Sequence, residues 1–392
     1  MHDLHGDLHI GAKGWLLRVA QAEPDDHVPT RTAHPRRGRR HPGRRNGSER
    51  SLPVNAAPIA LTLGDPCGIG PEITLRAWAA RNAAGLSPFV ALGDVAAYTQ
   101  SAQALGLDIP VAAVADMGEG ATRFAQALPV LPLRNAVSNR PGHPDPANAP
   151  AILESIERAV TLTRAGEASC VATCPIAKSA LYEAGFRHPG HTEFLASLAA
   201  APGEAPPRSV MMIWSEGLAV VPVTIHIALA DVPGALTREL IVETARIVDR
   251  DLRERFGVSS PRIAVAGLNP HAGEAGAMGR EEIAIVAPAI AELRAAGIDT
   301  RGPFPADTMF HARARAGYDA ALCMYHDQAL IPIKTIAFDD GVNVTLGLPF
   351  LRVSPDHGTA FDIAGKGIAR ADSLIAALRL GSRLAAQARS AA

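Results

Sequence analysis

The chain has 392 residues, of which 47% are hydrophobic, and its formal net charge is −1 at pH 7. This length is enough for two domains on the usual size of about 150 residues each, and the composition suits a well-packed α/β protein. The near-neutral charge and an aromatic content of only 4% exclude a nucleic-acid surface, which needs basic patches or stacking platforms. We expect no membrane segment either, because no apolar run reaches about 18 residues.

The cysteines and the N-terminus both indicate an intracellular protein. The four cysteines, Cys67, Cys170, Cys174 and Cys323, include no CxxC pair. Two of them lie in apolar, strand-like runs, where a thiol behaves as a small hydrophobic group. The N-terminus lacks the basic-then-apolar order of a secretory signal. We therefore predict reduced cysteines and a cytoplasmic location.

The first 55 residues differ from the rest of the chain. Residues 31–50 contain eight arginines and almost no apolar side chains. Such a segment cannot bury a core, so we predict that residues 1–55 form a disordered basic arm. Two interpretations stay open: an arm that binds a polyanion, or an extension without a folded role. The histidines of the arm are therefore not candidates for the functional site.

From residue 58 onward, segments with strand and helix patterns alternate. The predicted strands are 58–65, 88–94, 168–175, 262–270 and 320–326, and the predicted helices are 71–84, 145–167, 232–257, 280–298 and 373–388. This alternation indicates an α/β fold with a parallel or mixed sheet covered by helices. A domain break is expected in the proline-rich stretch 139–150, with a return to the first domain near 330–345.

Three histidines each follow a short apolar run that is typical of a buried strand. His226 closes VVPVTIH, His271 follows RIAVAGLNP and His326 follows AALCMY. Because ligands bind at the carboxyl ends of strands in open α/β sheets, we expect these imidazoles at one edge of one sheet. Three imidazoles at one point would form a divalent-metal site with room for substrate. Asp327, directly after His326, and Asp307, in the loop PADTMF, are candidates for its surroundings.

Other polar residues suit an anionic substrate. His191 and Thr192 precede an amphipathic helix whose free N–H groups favour an anion, although Thr192 also fits an ordinary helix start. Lys334, Asn343 and Arg352 lie within about twenty residues of one another. Arginine can bind phosphate or carboxylate through two hydrogen bonds, and lysine adds a point charge. Ordinary surface ion pairs are the alternative interpretation. His357 is close to these cations in the sequence and is a further candidate for the same cleft.

Seven blocks, in order, resemble the signature motifs of the 4-hydroxythreonine-4-phosphate dehydrogenase family: GDPCGIGPEI, ATCPIAK, GHTEFLA, GLNPHAGEAGAMGREEI, PADTMF, YHDQALIPIK and GVNVTLGLPFLRVSPDHGTAFDIAGKG. The resemblance covers about residues 58–385. It implies an isocitrate/isopropylmalate dehydrogenase-like fold, with two α/β/α domains and a cleft between them. The first domain would comprise 56–145 and 340–392, and the second, with the metal and dimer contacts, 146–339. Such a fold binds NAD without the GxGxxG motif, which the chain lacks.

The resemblance also implies the roles of individual residues. His226, His271 and His326 would bind a divalent metal (Zn, Mg or Co), with the site shared across a homodimer. The residues implied for the small phosphorylated substrate are His191, Thr192, Lys334, Asn343 and Arg352. The implied cofactor is NAD or NADP, with no residue assigned to the nicotinamide. The implied reaction is oxidation and decarboxylation of 4-phosphooxy-L-threonine to 3-amino-1-hydroxyacetone 1-phosphate, in pyridoxine 5'-phosphate biosynthesis.

Three other functions remain as alternatives. The first is a dehydrogenase of a related 4-phosphorylated sugar acid, such as threonate or erythronate 4-phosphate, since no motif identifies the group that contacts C2 of the substrate. The second is a metal-dependent hydrolase that uses the same histidines to activate water. The third is a metal-binding protein without activity, which would leave Lys334, Asn343 and Arg352 without a role.

Overall fold

Strands and helices alternate along the computed structural model, which describes residues 57–391 apart from residues 189 and 202. The predicted arm 1–55 lies outside the described residues. The α/β class predicted from the alternating patterns is confirmed. The described residues from 57 to 391 belong to one compact unit, and the two-domain boundaries stay a prediction.

The described strands belong to one mixed sheet, and most are short apolar runs buried on both faces, as in sheets covered by helices. They are β1 (Ile59–Thr62), β2 (Phe89–Gly93), β3 (Val111–Ala113), β4 (Leu128–Pro132), β5 (Val171–Thr173), β6 (Val210–Ser215), β7 (Leu218–Pro222), β8 (Arg262–Ala266), β9 (Asp299–Phe304), β10 (Ala320–Cys323), β11 (Val342–Leu346) and β12 (Arg352–Pro355). All five predicted strands are present, with shorter bounds.

Helices connect these strands and cover the sheet. They are α1 (Gly70–Ala79), α2 (Val95–Ala104), α3 (Met117–Arg123), α4 (Ala149–Arg164), α5 (Lys178–Glu183), α6 (His191–Ala199), α7 (Val232–Ala235), α8 (Arg238–Glu254), α9 (Ala287–Ala295), α10 (Ala312–Arg315), α11 (His326–Ile336) and α12 (Asp372–Ala391). In the part of the chain that the structure describes, no helix is both long and apolar enough to span a bilayer.

The strand order is β3-β4-β2-β1-β5-β12-β11-β6-β7-β10-β8-β9. Strands from β3 to β12 pair in parallel, and so do those from β7 to β9. Between them, β11 is antiparallel to β12 and to β6, and β6 is antiparallel to β7. The two parallel halves therefore run in opposite directions and join at β12, β11 and β6, which we call the central seam.

Close packing of a helix on the seam fixes the core beneath it. Helix α12 lies against β11 and β12, and a side chain at Gly381 would come within 3.2 Å of Cys170 and Val353. The glycine therefore lets the helix approach the strands directly. All four cysteines are free and buried, as predicted.

Some helix predictions were wrong in detail. The segment 232–257 was predicted as one helix but is two, α7 and α8, because Thr237 is extended and caps α8 by accepting a hydrogen bond from the Leu240 N–H at 3.1 Å. The predicted helix 280–298 contains a π-helical turn, Glu282–Val286, before α9. The strands of the central seam were not predicted. The sequence analysis identified only polar residues within apolar stretches in this part of the chain.

Candidate active site

A cleft of about 750 Å³ lies at the central seam and collects residues from both halves of the sheet. All five residues predicted to bind substrate line it, together with two of the three predicted metal ligands. The lining residues with polar or charged side chains are Thr173, Lys178, His191, Thr192, Glu193, His226, His326, Lys334, Asn343, Arg352, Ser354, Asp356 and His357. The cleft therefore brings together residues that are up to 184 positions apart in the sequence (173 to 357).

A buried arginine lines the cleft. Arg352 is 4% exposed, and its guanidinium donates hydrogen bonds to the hydroxyls of Thr345 at 3.0 Å and Thr173 at 2.7 Å. Its Nε has no hydrogen-bond partner, and none of the ion pairs found among the described residues includes Arg352. Burial lowers the pKa of Arg352 to about 10. A buried cation held only by hydroxyls is well suited to bind an anion.

The N-terminus of α6 lines the same cleft. Gly190, His191 and Thr192 line the cleft, and the helix begins at His191, so its first N–H groups are available to an anion. The pKa of His191 lies well below its usual value, because of burial first and then the charges of Arg352 and Lys178. Among the described residues, the buried Nε2 of His191 has no hydrogen-bond partner. A neutral imidazole can therefore donate to a substrate oxygen without adding charge.

Helix α11 supplies a second cation. Its residue Lys334 pairs with Asp356 at 3.0 Å and also donates to the carbonyl of Asp356 at 3.2 Å. The side chain of Lys334 is 38% exposed, so its charge is more screened than that of Arg352. Asn343, on β11, also lines the cleft. In the sequence it lies between Lys334 and Arg352. This group of cleft residues, formed by Arg352, Lys334, Asn343 and the start of α6, is called the anion end below.

Two further histidines of the cleft lining form a second group, which is called the metal end below. The rings of His226 and His326 have centroids 5.6 Å apart. The pKa of His226 is lowered by burial and then by the charges of Lys178 and His326, which favours the neutral imidazole that metals bind. Nδ1 of His326 contacts Asp327 Oδ1 at 2.7 Å, so Nε2 is left as the nitrogen for a metal. The predicted role of Asp327 as the orienting partner therefore has a matching contact.

His271 does not join this pair. Strands β7, β10 and β8 are adjacent and parallel. This agrees with the expectation that the three histidines follow strands that end at one edge of the sheet. After β8, however, residues 271–275 form a left-handed turn with φ between 40° and 77°, and His271 is exposed and outside the cleft lining. Asp307 is also exposed and outside it. Over residues 57–391, with 189 and 202 left out, no three or more His, Cys, Asp or Glu side chains are arranged to hold a metal.

Three charged residues in the cleft were not predicted. Lys178 begins the short helix α5, Glu193 lies in the first turn of α6, and Asp356 directly follows β12. The sequence does contain a signal for Lys178 and Asp356, because ATCPIAK and VSPD both place a charge just after a strand. His357, a secondary candidate from the sequence, also lines the cleft.

Known proteins resemble this chain along most of its length. A family model described as pyridoxal phosphate biosynthetic protein PdxA matches residues 85–381. The 4-hydroxythreonine-4-phosphate dehydrogenase of Methylorubrum populi is 64% identical over 330 residues, which are 84% of this chain and 94% of that protein. The enzyme of the same name from Bradyrhizobium diazoefficiens is 60% identical over 339 residues, covering 84% and 98%.

Solved structures agree. The crystal structure of 4-hydroxythreonine-4-phosphate dehydrogenase from Klebsiella pneumoniae has 38% identity and a TM-score of 0.74, covering 84% of this chain and 100% of that chain. A terephthalate 1,2-cis-dihydrodiol dehydrogenase from Burkholderia xenovorans has 29% identity and a TM-score of 0.57, covering 84% and 98%. The chain therefore belongs to the pyridoxal phosphate biosynthetic protein PdxA family, as its motifs predicted.

Proposed function

We propose that this protein oxidises the C3 hydroxyl of 4-phosphooxy-L-threonine with NAD or NADP. Hydride passes to the nicotinamide and one proton is released, which leaves a 3-oxo acid. Loss of CO2 from its carboxylate leaves an enolate, and protonation of this enolate at C2 then gives 3-amino-1-hydroxyacetone 1-phosphate. The observation that carries the proposal is that one cleft is lined both by the buried Arg352 and by the imidazole pair His226 and His326.

The anion end supports a phosphorylated substrate. Arg352 carries a charge that the described ion pairs leave uncompensated, and a dianionic phosphate would offset its desolvation. Binding there would use the distant phosphate to orient the reacting carbon toward the histidines. Lys178 affects the pKa of both His191 and His226, so its charge acts between the two ends. We propose that it offsets the substrate carboxylate until CO2 leaves.

The metal end fits a divalent cation that needs further ligands. Two imidazoles are fewer than the three protein ligands of a typical catalytic site. When bound, the cation would stabilise the negative charge that develops on the substrate oxygen. All-histidine ligation favours Zn or Co over Mg. We propose that His271 of a second copy of this chain completes the site in a homodimer.

Exposed apolar side chains beside the metal end support that homodimer. Leu229, in the loop after His226, is 68% exposed, Ile227 is 44% exposed, and Ile331 on α11 is 64% exposed. Large apolar groups at this density are usual where a protein surface is covered by a partner. Two copies related by a two-fold axis would cover the surface and exchange their His271 side chains.

One assay tests the reaction. Purified protein with 4-phosphooxy-L-threonine and NAD should form NADH and release CO2, and a chelator should stop both. No NADH formation, with release of phosphate instead, would favour the hydrolase. Faster turnover of 4-phosphothreonate than of the amino acid would identify a sugar-acid dehydrogenase. The free cysteines agree with a reducing compartment, and we propose the cytoplasm.

Mixing two inactive variants tests the shared site. His226→Ala and His271→Ala should each be inactive as homodimers. In a mixed dimer, one site carries both substitutions and the other carries neither. After unfolding and refolding of an equal mixture, half of the dimers are mixed, so activity should return to about a quarter of wild type. A site within one chain would give no recovery.

A further inference from the structure

We propose that a buried chain of hydrogen bonds through Met324 and Gln328 fixes the three histidine loops of each chain: those of His226 and His326, which serve its own metal site, and that of His271, which serves the site of the second copy. Gln328 would then be a positioning residue for the metal site. The inference rests on the proposed metal function and concerns residues that touch neither metal nor substrate. The strands themselves hold the loops together only up to their ends, at the pairs Cys323 with Pro222 and Leu322 with Val265. All three histidines lie beyond those points.

The first branch reaches the loop of His226. The buried carbonyl of Met324 accepts hydrogen bonds from the Thr224 N–H at 3.2 Å and the Thr224 hydroxyl at 2.8 Å. Thr224 is two residues before His226, and Met324 is two residues before His326. The double contact therefore ties the two histidines whose rings are 5.6 Å apart. His226 itself has a φ of 52°, an unfavourable conformation that the anchored loop must hold.

The second branch reaches the loop of His271. Gln328 lies in the first turn of α11, which begins at His326. Its Oε1 accepts from the Met324 N–H at 2.7 Å, and its Nε2 donates to the Gly267 carbonyl at 2.8 Å. Gln328 is 9% exposed. One buried amide thus uses its acceptor on the His326 loop and its donor on the segment that follows β8.

Gly267, which accepts the hydrogen bond from Gln328, is also in direct contact with the left-handed turn that contains His271. A Cβ on Gly267 would lie 2.9 Å from the Cα of Ala272 and 3.1 Å from Glu282 Oε1, so the turn packs directly on the glycine. The same Glu282 oxygen accepts from the Asn269 N–H at 2.8 Å, and the Asn269 carbonyl accepts from the Ala272 N–H at 3.1 Å. Gln328, Gly267 and this turn therefore form one continuous contact path to His271.

The test compares Gln328→Met with a matched control. Methionine has a similar length but can make neither hydrogen bond. Ser155→Ala is the control, because the buried Ser155 hydroxyl likewise joins two backbone segments, accepting from Leu63 N–H at 2.8 Å and donating to the Leu92 carbonyl at 2.9 Å, in the other half of the sheet. Both variants, as full-length protein, are titrated with Co²⁺ by calorimetry and visible absorption.

Gln328→Met should weaken Co²⁺ binding by up to about 10-fold, the lower limit for a partner in direct contact with a metal ligand, and change the Co²⁺ spectrum. Ser155→Ala should lower only thermal stability. If Gln328→Met does not fold, a second pair of variants, at Thr224, provides the test. Thr224→Val should also weaken Co²⁺ binding, and Thr224→Ser, which keeps the hydroxyl, should restore it.

Unchanged Co²⁺ affinity and spectrum in a folded Gln328→Met or Thr224→Val protein would overturn the inference. Equal weakening by Ser155→Ala would also overturn it, because general destabilisation would then be the cause. Failure of the proposed function gives a different result, since the wild-type protein itself would bind no Co²⁺.

Discussion

The two ends of the cleft differ in how complete they are within one chain. At the anion end, Arg352 is buried and fixed by Thr173 and Thr345, and the start of α6 is already in place. At the metal end, His226 and His326 are close together while His271 is exposed outside the cleft.

The difference follows from where the residues lie. At the anion end, Asn343 and Arg352 lie on strands of the central seam, and His191 and Lys334 lie on helices α6 and α11. At the metal end, His326 begins α11. His226 and His271 lie in turns beyond strand ends, where a side chain takes the direction that its turn gives it. We infer that one chain suffices to bind the phosphate, whereas metal binding requires a partner.

The largest effect should come from removing a direct imidazole. His226→Ala or His326→Ala should weaken Co²⁺ or Zn²⁺ binding by more than about 100-fold, since even outer partners account for about 10- to 100-fold. Calorimetric titration measures this affinity, and NADH formation should fall in parallel. Phosphate-end binding of the substrate without metal should be retained. Metal affinity within threefold of wild type would contradict the assignment.

Arg352→Met should have the next largest effect, on substrate binding. Loss of hydrogen bonds from a charged donor costs about 1.5–3 kcal/mol, which is about 10- to 150-fold in KM. Lys334→Met should raise KM only about fivefold, because its partly exposed charge contributes about 1 kcal/mol.

Arg255→Met is the matched control for Arg352. Arg255 is another well-buried arginine, 12% exposed, paired with Asp251 at 3.5 Å and lying outside the cleft lining. This variant should lose stability and keep its KM. Equal KM values for Arg352→Met and the wild type would show that Arg352 does not bind the substrate phosphate.

Asp327→Asn should have a moderate effect, confined to the metal end. The contact between Asp327 and Nδ1 of His326 orients the ring, but the carboxylate is 69% exposed. Metal affinity should therefore fall about 10-fold, at the lower limit for such partners, while KM for the phosphorylated substrate under saturating metal stays unchanged. If Asp327→Asn alters substrate binding and leaves the metal affinity unchanged, the assignment of Asp327 to the metal end is contradicted.

The smallest effect should be a pH dependence of stability from the anion end. The pKa of His191 in the folded protein lies well below the ordinary value of 6.5, through burial and the charges of Arg352 and Lys178. Below pH 6.5 the unfolded chain therefore takes up a proton that the folded chain does not, and stability falls as the pH drops toward the folded pKa. Denaturant unfolding at pH 7.5 and 5.5 measures this loss. His191→Gln should reduce it, and an identical loss in both proteins would contradict the assignment.

Sequence patterns predicted β1, β2, β5, β8 and β10, but missed β3, β4 and β9 at or next to the edges of the sheet and the strands of the central seam. Runs such as IALT in β1 and AALC in β10 are uniformly buried and almost entirely apolar because both faces of these strands are covered. Asn343, Arg352 and Ser354 interrupt the pattern in β11 and β12, because these side chains face the cleft. The strands that carry Asn343 and Arg352 are therefore among those that an apolar pattern does not identify.

The candidate site shows the same limit. The rule that ligands bind at strand ends predicted that His226 and His326 would lie near each other, and the structure brings both into the cleft because they follow parallel neighbours. It could not place His271, because the direction of that side chain depends on a left-handed turn of mostly non-glycine residues, which no propensity predicts. Lys178 was missed because a single lysine at the start of a six-residue helix has no periodicity.

The central seam also determines when the cleft can exist during synthesis. In the finished sheet β5 and β6 are separated by β12 and β11, which the ribosome makes more than 120 residues after β6 (215 to 342). Until then the nascent chain carries two open strand edges, which are prone to pair with other chains. A chain truncated before residue 342 would keep those edges and lack Arg352, so we expect it to aggregate rather than to persist as a partly active enzyme.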